Sequence, residues 1–414
     1  MEILYVSSVP SKDEFVRMKK ELRKNVNVST YGLQESGYKF HTLILEGLCA
    51  NKETHIKSLV GRSINIKTYN GIYWKNRKEE ISKNLYFEHL GVVNLPVLKQ
   101  LFLGLLFFIK TISWLFTYRK EPEKFIIMDA AYITMIPFVL LASSIIKCKK
   151  LAIFCDIYEY MGDVKDARVK SKYLHIIVRY FVSLSYKMID AFILLTEQMN
   201  DIVNRSNKPF IIMEGLVDIE MENIDNLIKN KHSKNVIIYA GALRMQYGLK
   251  NLIDGFMDYA DDNAMLWIFG TGDYSQEIKL ATKKDSRIVF YGLVDNSIVV
   301  KKEIEATLLV NPRPANQEFT KFSFPSKNME YMVSGTPVLS TKMPGIPEEY
   351  FEHMYIINGD TARDITLSLI EVFQKSKEEL NKKGVDAKFF VLEKKNNIAQ
   401  AMRIVEFVRE NLNQ

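Results

Sequence analysis

Residues 322–338 read FSFPSKNMEYMVSGTPV, and the fold of the chain is decided by how this stretch is read. Pro325 suits the first turn of a helix, where its missing N–H is one that would be unpaired in any case. Gly335 ends that helix, and Pro337 stops it before the apolar run that follows. Ser326 and Lys327 then sit among the unpaired N–H groups of the helix start. Aligned peptide dipoles make such a tip a phosphate site, and Lys327 adds a full charge. Glu330 follows one turn later, within reach of ribose hydroxyls. The plain alternative is a capped helix with a surface Lys and Glu. It does not explain why the polar residues gather at one end.

Outward from this helix the C-terminal half repeats one pattern. Apolar runs at 236–239, 265–269, 288–291, 307–310 and 338–339 each lead into small or polar residues. These are Ala240-Gly241, Gly270-Thr271-Gly272, Gly292, Asn311-Pro312 and Ser340-Thr341. The N-terminal half gives strands at 3–6, 125–128, 151–154 and 191–195. Its helical patterns lie at 40–50, 98–116, 132–146, 172–188 and 198–204. Strands alternating with longer helices specify an α/β chain with parallel sheets. Ligands of such sheets bind beyond the carboxyl ends of the strands. In the first half those ends carry Ser7-Ser8, Asp129, Asp156 and Thr196-Glu197. The polar run KNKHSKN at 229–235 is the expected linker between halves, and residues 395–412 form a last amphipathic helix.

Two further constellations lie at these ends. Gly241 leaves backbone bare for a diphosphate, and Arg244 reaches it with a planar fork of donors, with Lys250 a further cation. A strand-to-helix turn with a surface Arg is the simpler alternative. Gly270 and Gly272 permit a sharp turn and close approach to a ligand. The full GxGxxG spacing is missing, which disfavours a dinucleotide site.

Composition narrows the class. Hydrophobic residues make up 47% and charged residues 25%, the proportions of a globular chain. The net charge of +7 is spread along the sequence, without the dense basic block or zinc spacing of a nucleic-acid binder. Cys49, Cys148 and Cys155 form no metal or CxxC spacing, so reduced thiols in a cytoplasmic protein are expected, with no metal site. The N-terminus MEILYVSSVP has no signal-peptide pattern. Residues 101–109, LFLGLLFFI, continue past Lys110 into TISWLFTYRK. Lys99, Lys110, Ser113 and Thr117 share one narrow stripe of this helix. The rest is apolar, which suits a buried helix, one lying in a membrane interface with Arg119 and Lys120 at its edge, or, least of the three, a span.

The pieces YAGALRMQYGLKNLIDGF, WIFGTGDY, RIVFYGLVDN and FPSKNMEYMVSGTPVLST, in that order, resemble the retaining GT-B glycosyltransferases usually called family 4. YKFHTLILEGL, DAFILLTEQM and FIIMEGLVD extend the resemblance more loosely over the first half. It implies two Rossmann-like domains facing across a cleft, an acceptor domain at 1–208 and a nucleotide-sugar domain at 209–390. A C-terminal helix at 391–414 crosses back. A UDP- or GDP-sugar donor and a glycan or lipid-linked acceptor in surface polysaccharide synthesis follow, with retention of configuration and no cofactor. The enzyme is then cytoplasmic, with peripheral contact to the inner membrane face.

On this reading the donor meets Gly241, Arg244, Gly270, Gly272, Ser326, Lys327 and Glu330. Arg244 and Lys327 stabilise the leaving diphosphate, and Asp156 orients or deprotonates the acceptor, unless it only caps a loop. His41 faces the cleft or is satisfied within the fold, and Glu214 is a hinge or donor contact. Two positions depart from the family pattern. Phe322 stands where a first glutamate is common, eight before Glu330. Tyr247 precedes Gly248 where lysine is common, so Lys327, Lys321 or Lys250 is expected to supply that cation. A GT-B sugar-nucleotide epimerase and a catalytically silent GT-B scaffold are the competing readings.

Overall fold

The computed structural model describes residues 1–23, 35–62, 64, 69–95, 98–131, 135–157 and 184–412. Most of the expected helix at 172–188, the start of the one at 132–146 and residues 158–160 beyond Asp156 lie outside these. The described chain forms two compact units, Met1–Met213 with Asn397–Gln414, and Glu214–Asn396.

The first unit contains β1 (Glu2–Ser7), α1 (Lys12–Arg23), α2 (Glu35–Ala50), β2 (His55–Val60), β3 (Tyr73–Trp74), β4 (Arg77–Ser82), β5 (Leu85–His89) and β6 (Val92–Val93). Then come α3 (Leu98–Thr117), β7 (Lys124–Asp129), α4 (Ile136–Ile145), β8 (Lys149–Phe154), β9 (Ala191–Leu194), α5 (Asn200–Val203) and β10 (Phe210–Ile212). Its main sheet has the order β10-β9-β8-β7-β1-β2-β5-β4. Only the β4–β5 pair among these is antiparallel. The strands β1, β7, β8 and β9 are apolar runs buried on both faces, as parallel strands under helices must be. They are the ones the sequence pattern marks. β2 mixes polar and apolar residues, and β4 is a charged, largely exposed edge whose charges discourage pairing with another chain.

Helix α3 packs one side against its unit. Leu103, Gly104, Phe107, Thr111, Trp114 and Leu115 face inward. Gly104 has to be bare, because a Cβ there would lie 2.4 Å from the Phe138 ring of α4. Lys99 donates to the Ile64 carbonyl at 2.9 Å, and Lys110 pairs with the buried Glu88 at 2.6 Å. Leu98, Leu101, Leu105, Ile109 and Phe116 form an outward row, each more than half exposed. The helix is therefore half buried, and its lysine stripe reaches toward the protein body.

The second unit contains β11 (Asn235–Ala240), α6 (Leu249–Asp258), β12 (Ala264–Phe269), α7 (Ser275–Lys284), β13 (Ile288–Gly292), α8 (Asn296–Glu305), β14 (Leu308–Asn311), α9 (Ser326–Ser334), β15 (Val338–Thr341), β16 (Tyr355–Ile357), α10 (Ala362–Phe373) and α11 (Lys377–Lys394). All neighbours in its sheet, β13-β12-β11-β14-β15-β16, run parallel. Alternation along β11 feeds two cores. Val236, Ile238 and Ala240 meet Met329, Tyr331 and Met332 of α9, while Ile237 and Tyr239 meet Leu252 and Phe256 of α6.

Two expected boundaries move. Residues 229–235 do not link the units. They lie inside the second, where Lys231 donates to Thr336 Oγ1 at 2.8 Å and the His232 N–H to the Glu305 carbonyl at 2.8 Å. Residues 391–394 belong to α11, whose Gly384 packs so tightly that a Cβ would sit 2.2 Å from the Gly335 carbonyl. The helix that returns to the first unit is α12 (Asn397–Leu412), packed on α2. Gly47 of α2 admits it, since a Cβ would lie 2.0 Å from the Asn397 carbonyl.

Candidate functional site

Helix α9 holds the carboxyl ends of three strands in place. The buried Tyr331 hydroxyl accepts from the Ala240 N–H at 2.8 Å and donates to the Ala240 carbonyl at 3.1 Å. That fixes the residue before Gly241. Three residues earlier, buried Asn328 accepts from Asn311 Nδ2 at 2.8 Å and donates to Ser340 Oγ at 3.2 Å. β14 and β15 are thereby held to the same helix. The spacing of three puts both side chains on one face of α9.

The helix starts one residue later than its proline suggested. Pro325 is the extended N-cap (φ −76°, ψ 96°), Ser326 is the first helical residue, and no side chain caps the start. Ser326 is exposed and Lys327 about a third exposed, its ammonium paired with Glu330. The Lys327 Cε lies 3.9 Å from where a Cβ on Gly241 would stand. Bare backbone, cation and uncapped helix start therefore meet at one point.

The glycine loops beside it interlock. Gly270 has φ +129°, and a Cβ there would fall 1.8 Å from the Gly241 carbonyl oxygen. Its N–H donates to the Gly292 carbonyl at 2.8 Å. The Leu243 N–H donates to the Thr271 carbonyl at 3.0 Å, and the Tyr274 N–H to the Leu243 carbonyl at 2.9 Å. Gly272 lies under this crossing, its absent Cβ 2.2 Å from the Leu243 carbonyl. Both glycines are thus required by packing of loop on loop. Arg244 leaves the crossing exposed and extended, and the next N–H, of Met245, donates to Asp273 Oδ1 at 3.2 Å.

Lys250 is not drawn into this cluster by any contact. It is exposed and pairs with Asp254 one turn along α6 at 2.5 Å. Lys321 is exposed in the turn Glu318–Phe322. A residue without a sequence motif joins instead. Arg313, just past β14, places its guanidinium 4.1 Å from the centre of the Tyr247 ring. Its position after a strand end, Asn311-Pro312, was the available signal.

The first unit treats its expected residues differently. Asp156 is exposed directly after β8. His41 is buried, receives or gives a hydrogen bond with Tyr5 at 2.6 Å, and has Nε2 3.6 Å from Asp129. It is satisfied within the fold. Glu214 is buried, accepting from the Tyr350 hydroxyl at 2.6 Å and paired with Lys395. The chain enters the second unit at Glu214 and leaves it after Asn396, so this pair ties together the two ends of that unit. A concavity of about 460 Å³ lies at the amino ends of β7 and β8, lined by Lys124, Lys147, Lys149 and Lys150. Among the described residues no three His, Cys, Asp or Glu side chains cluster to hold a metal ion. The three cysteines are free thiols, with burial pushing Cys148 up to about 12.

Residues 234–375 match the family model described as glycosyl transferases group 1. No curated protein sequence matches the chain. Sucrose-phosphate synthase from Thermosynechococcus elongatus is similar in structure at TM-score 0.64 and 15% identity, over 99% of each chain. A glycosyltransferase from Rickettsia africae gives TM-score 0.66 at 13% identity, over 99% of this chain and 98% of that one. HepE of Anabaena, solved with UDP, gives TM-score 0.61 at 12% identity, over 99% of this chain and all of that one. Residues 234–375 of the second unit are thus similar to the glycosyl transferases group 1 domain, and the chain as a whole has the GT-B fold.

Proposed function

We propose that this protein transfers a sugar from a UDP- or GDP-sugar to a lipid-linked glycan acceptor on the cytoplasmic side of a membrane, in the building of a surface polysaccharide. The observation that carries the reading is the meeting of Lys327, the uncapped start of α9 and the bare Gly241. HepE, of like fold, was solved with UDP, which supports a nucleoside diphosphate as the ligand. Transfer breaks the bond from the anomeric carbon to the β-phosphate oxygen and forms one to the acceptor oxygen, the proton of the acceptor hydroxyl leaving with the departing phosphate. Charge builds on the departing phosphate. Arg244, Lys327 and the N–H groups of Ser326 and Lys327 stabilise it, and Glu330 holds the ribose. Asp156 orients the acceptor hydroxyl. Retention of configuration rests on the family resemblance. The donor is the only small molecule needed, with no further cofactor.

The outward row of α3 supports the membrane part of the reading. Leu141 and Ile145 of the neighbouring α4 are also more than half exposed, and Arg119 and Lys120 stand at the end of α3. An apolar row edged by cations suits an anionic lipid surface. Replacing Leu101, Leu105 and Ile109 together by serine should abolish co-sedimentation with phosphatidylglycerol vesicles and leave nucleotide binding intact.

The test of the reaction is a thermal-shift screen of nucleotide sugars, followed by product analysis with the donor that stabilises the protein. Phe322, in place of a glutamate, favours one second reading, a silent scaffold. A protein that binds donor but forms neither glycoside nor free sugar would be that scaffold.

A further inference from the structure

We propose that Arg313 contacts the β-phosphate of the donor, filling the place of the lysine that Tyr247 replaces. The proposal rests on the nucleotide-sugar reading above and names a residue that neither the motifs nor the family pattern mark.

Three features point to it. The first is position. Gly248 has φ +79°, and a Cβ there would lie 2.0 Å from the Pro312 carbonyl and 3.3 Å from the Pro314 ring. The turn carrying Tyr247 is therefore pressed against the loop carrying Arg313. The guanidinium lies over the Tyr247 ring, 4.1 Å from its centre. Stacking of that kind fixes the plane of the guanidinium and leaves its N–H edges free to meet a planar or tetrahedral anion.

The second feature is unmet bonding. Nη1 donates to Ser323 Oγ at 3.3 Å, three residues before α9 begins. Nε is buried and has no hydrogen-bond partner. No ion pair joins Arg313 to a carboxylate among the described residues. A partly buried cation lacking an anion is costly unless one arrives with a ligand.

The third feature is what surrounds the point that Arg313 borders. Its charge acts on Tyr239, whose phenol burial pushes up and Arg313 draws back down. The Tyr239 hydroxyl lies 3.5 Å from where a Cβ on Gly241 would stand, and Lys327 Cε lies 3.9 Å from the same point. Lys327 thus borders Gly241 from the helix start, and Arg313 stands on the neighbouring β14 loop, stacked on Tyr247 and bonded to Ser323 just before α9. A diphosphate over Gly241 would meet Lys327 from the helix start and Arg313 from the β14 loop. The replacement of the common lysine by Tyr247 is then explained, since tyrosine is the platform on which the arginine lies.

The test compares UDP with UMP, which lacks the β-phosphate, by isothermal titration calorimetry on the full chain, with GDP and GMP as the second pair. Arg313→Ala should weaken diphosphate binding by about tenfold to a hundredfold, the range of charge-assisted hydrogen bonds, and change monophosphate binding by less than about twofold. Tyr247→Lys added to Arg313→Ala should recover most of the loss. Arg313→Lys should fall between, because the charge remains and the fork does not. Unchanged diphosphate affinity in Arg313→Ala overturns the proposal and leaves the transferase reading standing. Equal losses for diphosphate and monophosphate, with no recovery by Tyr247→Lys, mark a structural role and also overturn it. Wild-type protein that binds neither diphosphate overturns the reading and the proposal together.

Discussion

The carboxyl ends of the two sheets are built in opposite ways. In the second unit the strand ends are glycine and loop backbone, with Gly241, Gly270 and Gly272 bare and Lys327 beside them. In the first unit, Asp156 and Glu197 aside, polar side chains around the same end are buried and turned on one another. Tyr5, His41 and Asp129 form one such group. The Ser11 N–H donates to His89 Nε2 at 3.1 Å, and Glu14 meets Arg62 and the Trp74 indole, with Arg62 and Glu14 fully buried. The proposed site for a fixed chemical group, a diphosphate, lies in short local motifs. The first unit's polar groups are tied by partners dozens of residues apart, and they shape the fold. Their loss should destabilise the protein without touching nucleotide binding, and substitutions in the glycine loops should do the reverse or both.

The sharpest way to break this contrast is Glu14→Ala. It leaves Arg62 buried without its anion, which costs about 3–5 kcal/mol. Urea unfolding of the variant should show that loss, with UDP affinity unchanged. The sign also holds with pH. Burial raises the Glu14 carboxyl, but the hydrogen bond and charge of Arg62 outweigh it and hold the group below its usual range. The stability it contributes is therefore present above pH about 4.5 and is lost as pH falls further.

Gly270→Ala comes next. A side chain at φ +129° is strained by about 1–3 kcal/mol even before its Cβ meets the Gly241 carbonyl. Nucleotide affinity should fall with stability, because the displaced atom belongs to the site. Tyr5→Phe leaves His41 with an unmet hydrogen bond and should cost about 1–2 kcal/mol, again with nucleotide binding intact.

A change in the slope with pH tests the second unit's own interior. Burial lowers Lys231 to about 7. Between pH about 7 and 10.5 the unfolded chain keeps a proton that the folded one has released, so stability rises with pH across that window. Lys231→Met should flatten this slope in denaturation curves, stabilising most near pH 6–7.

The legibility of the sequence follows the same division. Apolar runs ending in small or polar residues marked every strand of the second unit's sheet except β16, and the unbroken apolar strands of the first unit as well. β2, β4 and β5 were not marked, because their partners, not their own pattern, make them strands. The 101–116 stretch declared a helix, but nothing local told that Lys110 turns inward, since its partner Glu88 lies on β5. The break between α11 and α12 at Lys395-Asn396 has neither glycine nor proline. Arg313 stood beside a legible strand end, but its meaning depends on Gly248 pressing Tyr247 against it. The candidate site was legible where a short motif carries glycine and cation together, and illegible where distant segments converge.

The most direct measurement is the UDP and GDP affinity of the wild type and Lys327→Ala, read beside their melting temperatures without ligand. A nucleoside diphosphate seated on the start of α9 requires binding in the wild type. The variant should bind about tenfold to a hundredfold more weakly, roughly 1.5–3 kcal/mol, with its melting temperature changed by no more than about 2 °C. Equal affinity in the two proteins, or none in either, would contradict a donor at this helix.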